Sequence, residues 1–223
     1  WYRSGWKKLR RKSMNTALNP KFVEHIKQRV FPVYETFDKG HDVNHITAVI
    51  NRAFKLAQLF GNLDLNILYA SAALHDIGIS IQRENHALLS GIIVRTDKSL
   101  GLKDFFTDDE IEIIAEAVED HSTSRRLTPR SIYGKIVCDA DKDDDVDTSL
   151  LRAYEFTKAY YPNYIEEEVL DNVFKQLNKK FGEKGLVKFW INTEEQQEFL
   201  KTMNCLASDR RKFKKRINSL IST

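Results

Sequence analysis

Cysteine is nearly absent. Only Cys138 and Cys205 occur in 223 residues, far apart and in no CxxC arrangement, which excludes a disulfide framework and a thiolate-rich metal site. They read as free thiols in a reducing compartment, the cytoplasm by default. Long apolar runs are missing too: Ile67 to Leu74 is broken by Ser71 and closed by His75, well short of the ~20 residues that span a bilayer. No membrane span is expected. Acid is missing from residues 1–13, which carry six basic side chains (Arg3, Lys7, Lys8, Arg10, Arg11, Lys12). Setting these aside turns the net charge of +3 into −3, which is not the balance of a nucleic-acid-binding body. Met14 is a plausible natural start, so Trp1 to Ser13 is set aside as a leader. The alternative is a genuine basic arm whose Trp1, Tyr2 and Trp6 would accompany contacts to phosphates or an anionic membrane. Internal repeats, low-complexity linkers and sharp compositional boundaries are also lacking. Residues 14–223 therefore read as one mostly helical domain, with a core over about 20–160 and a C-terminal extension over about 161–223.

What is present is helical periodicity, with 42% hydrophobic residues to fill a core. Asn19-Pro20 reads as a cap and first turn, and Pro32 kinks or ends the helix that follows. A second helix runs from Val43 to Phe60, stopped by Gly61-Asn62, with His45 in phase with Val49 and facing inward. Leu63 to Asp76 and Glu84 to Thr96 follow. Thr107 to Glu110 matches a capping box, opening a helix whose inner face runs through Val118 to His121. Pro129 can start the next helix, which Cys138 to Asp141 closes. Helices over 147–161 and 165–181 come next, then a segment over 186–191 that could be extended and one long helix over 194–221. Asp143, Asp144, Asp145 and Asp147 read as a solvated turn, since they lack the glycine and final glutamate of a calcium loop. The basic cluster Arg210 to Arg216 reads as a solvated face over Phe213, Ile217 and Leu220.

Histidine is scarce, six in all, and five of the six keep polar company. His75-Asp76 ends a largely buried helix ahead of Gly78, and two polar groups there need a partner: a divalent metal, or hydrogen bonds to a neighbouring element. The others fall in His41-Asp42-Val43-Asn44-His45, Glu84-Asn85-His86 and Glu119-Asp120-His121, and an apolar run then leads into Asp139-Ala140-Asp141. The ordered series His45, His75-Asp76, His86, His121, Asp141 resembles the HD superfamily of metal-dependent phosphohydrolases, whose signature is H…HD…D with two further histidines in some branches. The resemblance covers roughly residues 20–160 and implies an all-α helical bundle. It also implies a metal held by His45, His75, Asp76 and Asp141, with His86 and His121 matching the dinuclear branches. Asp139 is the rival for the last position, because two residues on a helix are about 200° apart and only one of the pair can face the metal.

Imidazole and carboxylate together suit Fe, Mn, Co, Ni or Zn, and six such groups suffice for two ions bridged by Asp76. Asp76, His86 and His121 are then the residues closest to the chemistry, hydrolysis of a phosphate ester or anhydride in a small phosphorylated metabolite or nucleotide. Glu84, Glu119 and Asp120 are expected to orient the neighbouring imidazoles. Arg125, Arg126, Arg130, Lys142 and Arg83 are expected to meet substrate phosphate, by sequence proximity. Ile79 stands where the cyclic-dinucleotide branch has lysine and no GYP motif follows, which puts that substrate in doubt. Two other functions fit the same residues: a non-catalytic sensor or scaffold with a vestigial metal site, and an HD-type oxygenase with a di-iron centre.

Overall fold

The structure is a computed structural model that describes residues 17–38, 40–122 and 127–222. The basic leader, Arg125 and Arg126 lie outside the described residues. Among those described there are helices and no strand, and no helix is long and apolar enough to cross a membrane.

The chain enters through Asn19, whose side-chain oxygen accepts the amide of Lys21 (3.0 Å) ahead of helix α1 (Pro20–Arg29). Pro32 cannot continue α1, so Val30 breaks the helix and a single turn, α2 (Phe31–Tyr34), carries Tyr34 into the core. Helix α3 (Val43–Ala57) is capped by Asp42, which accepts the amides of Asn44 and His45 at 2.9 and 3.0 Å. It ends three residues before the expected Phe60, because Gln58, Leu59 and Phe60 tighten into bonds to carbonyls three residues back before Asn62 takes a left-handed φ of 64°. Helix α4 (Leu65–Leu74) is the centre of the bundle. Every residue from Asn66 to Leu74 is buried, as expected of a helix apolar on all sides, and α1, α3, α6 and α7 pack around it.

A short 3-10 turn (Ile77–Ser80) leads to α5 (His86–Thr96), and the capping box expected at Thr107 and Glu110 opens α6 (Asp108–Asp120). Gly78 is required by close approach rather than by its φ. A Cβ there would strike the His86 carbonyl and lie 2.6 Å from the Ser90 amide, while the Gly78 amide donates to Ser90 Oγ at 2.8 Å. Helix α7 (Ile132–Ala140) starts three residues later than Pro129 suggested, behind a Ser131 cap that accepts the Gly134 amide (3.1 Å). These elements enclose one apolar cluster that includes Phe22, Ile46, Leu68, Leu74, Ile114 and Ile136.

Helices α8 (Val146–Tyr160), α9 (Glu166–Phe181), α10 (Glu194–Ser208) and α11 (Arg210–Ile221) enclose a second cluster, including Leu150, Val173, Leu177, Met203, Phe213 and Ile217. The single C-terminal helix expected over 194–221 is two helices. Asp209 is extended (φ −133°, ψ 101°) and caps α11 by accepting the amides of Arg211 and Lys212. The break folds Phe213 and Ile217 back onto the rest of the cluster. Residues 186–191 find no strand to pair with. The amides of Trp190 and Ile191 instead donate to the fully buried Asp139 carboxylate at 2.7–3.0 Å, fastening this segment to α7.

Candidate metal centre

Five helix ends meet at one point. His45 is the third residue of α3, His75 caps the C-terminus of α4, His86 opens α5, His121 caps the C-terminus of α6 and Asp141 caps the C-terminus of α7. Asp76 follows His75 with φ −105° and ψ 5°, in the sparsely populated bridge between helix and strand, and this turns its carboxylate toward the same point.

Three of the imidazoles are held in one manner. Nδ1 of His75 donates to the Ala72 carbonyl (2.8 Å), that of His121 to Val118 (2.6 Å) and that of His86 to Arg83 (2.7 Å). A carbonyl only accepts, so Nδ1 carries a hydrogen in each ring and Nε2 is the nitrogen turned toward the centre. In each case the acceptor is three residues back along the chain, and for His75 and His121 it is a last-turn carbonyl with no intrahelical partner. The acids expected to orient these rings do something else: Glu119 pairs with Arg95 and Arg130, Asp120 accepts from Arg130, and Glu84 accepts from Gln82. Successive residues on a helix are about 100° apart, so Glu119 and Asp120 are turned away from the ring they precede.

The ligand atoms form two groups sharing one carboxylate. In the first, Asp76 Oδ2 lies 3.3 Å from His75 Nε2 and 3.7 Å from His45 Nε2, and Asp141 Oδ1 lies 3.2 Å from His45 and 3.6 Å from His75. In the second, Asp76 Oδ1 lies 3.2 Å from His86 Nε2 and 3.4 Å from His121 Nε2, and the two Nε2 atoms are 3.0 Å apart. Neighbouring ligands on an ion with bonds of ~2.1 Å stand about 3.0–3.4 Å apart, so these are ligand-to-ligand spacings. Two further observations fit a cation at each position. The buried Nε2 atoms of His45 and His75 have no hydrogen-bond partner, and the His86 and His121 Nε2 atoms face one another across 3.0 Å.

The electrostatics point the same way. Burial opposes charge on Asp76, yet His75 and His121 outweigh it and hold the carboxyl well below its ordinary range. Asp141 is lowered likewise against burial by His45 and His75. Burial also opposes charge on His75, but Asp76 and Asp141 raise its pKa. Burial and then His121 lower that of His86. Two carboxylates are thus kept ionised among imidazoles in a nearly dry site, an arrangement that favours an added cation.

Residues 42–145 match the family model of the HD domain, with His45 and Asp141 just inside its two limits and all six positions within it. This segment is an HD domain. No curated protein and no solved structure matches the chain. HD domains bind divalent metal, and the two groups His45, His75, Asp76 and Asp76, His86, His121 are spaced to hold one ion each.

Of the two rivals at the end of α7, Asp141 faces the HD-domain centre and Asp139 turns away to the amides of Trp190 and Ile191. Two of the expected phosphate-binding cations are spent elsewhere. Arg130 is held by Glu116, Glu119 and Asp120, and Lys142 donates to the Cys138 carbonyl and Asp139 while its ammonium covers the Phe189 ring. Arg83 does stand at the centre: its carbonyl anchors His86 and its guanidinium pairs with Asp38. Sequence reasoning missed Tyr34, whose fully buried hydroxyl lies against the backbone of Asp76. Burial first, then Asp76 and Asp141, push its pKa well above 10, so it keeps its proton. It also missed Arg52, which donates to the Ala140 carbonyl (2.6 Å) beside Asp141.

Proposed function

We propose that the chain is a metal-dependent phosphohydrolase acting on a phosphate ester or anhydride of a nucleotide or other small phosphorylated metabolite. The observation that carries this reading is the Asp76 carboxylate, with one oxygen in each ligand group. His45, His75, Asp141 and Asp76 Oδ2 would hold one divalent ion, and Asp76 Oδ1, His86 and His121 the other. A metal pair bound there supplies an activated water and a counter-charge for phosphoryl oxygens. The protein's part is positional. The Ala72, Arg83 and Val118 carbonyls fix three rings with Nε2 inward, Arg52 ties down the end of α7 at Ala140, and Tyr34 walls the buried side without contributing a charge. Cys138 and Cys205 are both free, which supports work in a reducing compartment.

The test is metal analysis of protein purified without chelator, followed by a phosphate-release screen over nucleotides and sugar phosphates. We expect about two equivalents of Fe, Mn, Co, Ni or Zn, falling toward one in His86→Ala and in His121→Ala, with phosphate release falling in parallel. A wild-type protein that never exceeds one equivalent removes the dinuclear assignment. A fully loaded protein that releases phosphate from no substrate removes the hydrolase reading.

A further inference from the structure

Two arginines converge on Asp38, Gly40 and His41, just ahead of His45. On one side the His41 ring lies 5.7 Å from that of His45, and its Nδ1 is 3.1 Å from Asp38 Oδ1 and 3.3 Å from the Arg83 guanidinium. Arg83 is 52% exposed, and only Nη1 and Nη2 of its donors are engaged, by Asp38 and His41. On the other side Arg152 reaches out of α8, in the C-terminal helices. Its Nη1 donates to both oxygens of Asp143 (2.9 and 2.8 Å) and its Nη2 to the Gly40 carbonyl (3.2 Å). Gly40 adjoins His41, and Asp143 is two residues beyond Asp141. Arg152 thereby bridges the two segments that deliver His45 and Asp141 while remaining 40% exposed.

We propose that Arg83 and Arg152 form a rim that binds a second phosphate of the substrate while the first lies at the metals. This rests on the phosphohydrolase reading and narrows it: the preferred substrates carry two phosphates, as in a nucleoside diphosphate or a bisphosphorylated metabolite. A single scissile phosphate is served by the metals alone. Guanidinium groups already tied to one carboxylate or carbonyl are held in place for this task, because their planar forks keep unused N–H donors directed outward. It also gives the C-terminal helices a part in recognition, since Arg152 belongs to an element outside residues 42–145.

The test is calorimetric titration of the Mn-loaded full chain with methylphosphonate, which offers one phosphonate, and with methylenebisphosphonate, which offers two and is not hydrolysed. Metal content is measured before and after each titration. Arg83→Gln and Arg152→Gln should each weaken methylenebisphosphonate binding by about tenfold while leaving the methylphosphonate Kd within about twofold. Arg152→Gln also frees Gly40 and Asp143. If it loses metal, Arg83→Gln carries the test. Equal weakening of both ligands, or no weakening of the bisphosphonate, overturns the rim and leaves the hydrolase reading standing. Failure of the metal-loaded wild type to bind either anion overturns both.

Discussion

Replacing Asp76 by asparagine keeps the volume of the side chain and removes its charge, so its effects on metal binding and on folding can be separated. The carboxylate is 3% exposed and lies within 3.2–3.7 Å of four imidazole nitrogens. In the metal-free protein, burial of that anion is the largest influence on it and an unfavourable one. Loss of the charge also lets His75 become neutral, so no charge is left stranded. The variant should therefore melt within a few degrees of wild type in chelator. With metal the two should separate. A ligand at 100 times its Kd stabilises by about 2.7 kcal/mol per site, and for a chain of this length each kcal/mol moves the Tm by about 2–4 °C. Wild type should gain about 5–10 °C for each ion bound. Asp76→Asn, with one oxygen left to serve two sites, should gain little and retain less than one equivalent. The assay is a pair of melts, in chelator and in Mn, with metal content measured alongside. An Asp76→Asn protein that keeps two equivalents and the full metal-induced rise would refute the bridging role.

The two carboxylates of α7 should part company: Asp141→Ala should lose metal with little change in the chelator melt. Asp139→Ala should retain metal but lose about 2–4 kcal/mol in urea titration, because the Trp190 and Ile191 amides are left without an acceptor. Gly78→Ala sets a Cβ against the backbone of His86 and Ser90 and should cost about 2–3 kcal/mol in the same titration, with loss of the ion that His86 would hold. Burial opposes ionisation of Glu119, but Arg95 and Arg130 outweigh it and hold its carboxyl below the ordinary range. A depressed folded pKa adds stability above the unfolded value, about 4.3, that is lost as pH falls through the folded value. The stability advantage of wild type over Glu119→Gln, followed by melts from pH 7 to pH 3, should be full at neutrality and shrink below about pH 4. An advantage that does not vary with pH would contradict the ion-pair account.

The helical class was legible because it is periodic, and the order of the six His and Asp positions, through the resemblance it carries, anticipated that their side chains would meet. His45 keeps phase with Val49, His121 with Val118, and the Thr107 to Glu110 box announces its own helix. What those groups lean on was not legible. Adjacency suggested that Glu119 and Asp120 serve His121, but helix rotation sends them to Arg95 and Arg130, while the ring uses a backbone carbonyl that every sequence has. The cations failed for a related reason. Lys142 is one residue from Asp141 and points away from it, whereas Arg152 reaches Gly40 across 112 residues of chain. Tyr34 was not singled out; it follows the break at Pro32, in a turn whose direction no periodicity announces. The Ser208-Asp209 pair did carry a readable signal, a cap residue in mid-pattern, and marks where one helix becomes two.

Helices α4, α6 and α7 all terminate at the centre, and that has an electrostatic consequence beyond geometry. Each peptide unit is a small dipole, and a helix sums them to roughly half a negative charge at its C-terminus. For α4 and α6 the imidazole continues that field: a ring whose N–H donates to a last-turn carbonyl becomes the more basic at its opposite nitrogen. Three such ends should favour a cation by about 0.3–1 kcal/mol apiece, offset in part by the N-terminal ends of α3 and α5 that meet there too, and no side-chain substitution removes them. Part of the affinity for metal is therefore written in the path of the main chain, and single-ligand variants should keep a residual, weak and unselective attraction for cations.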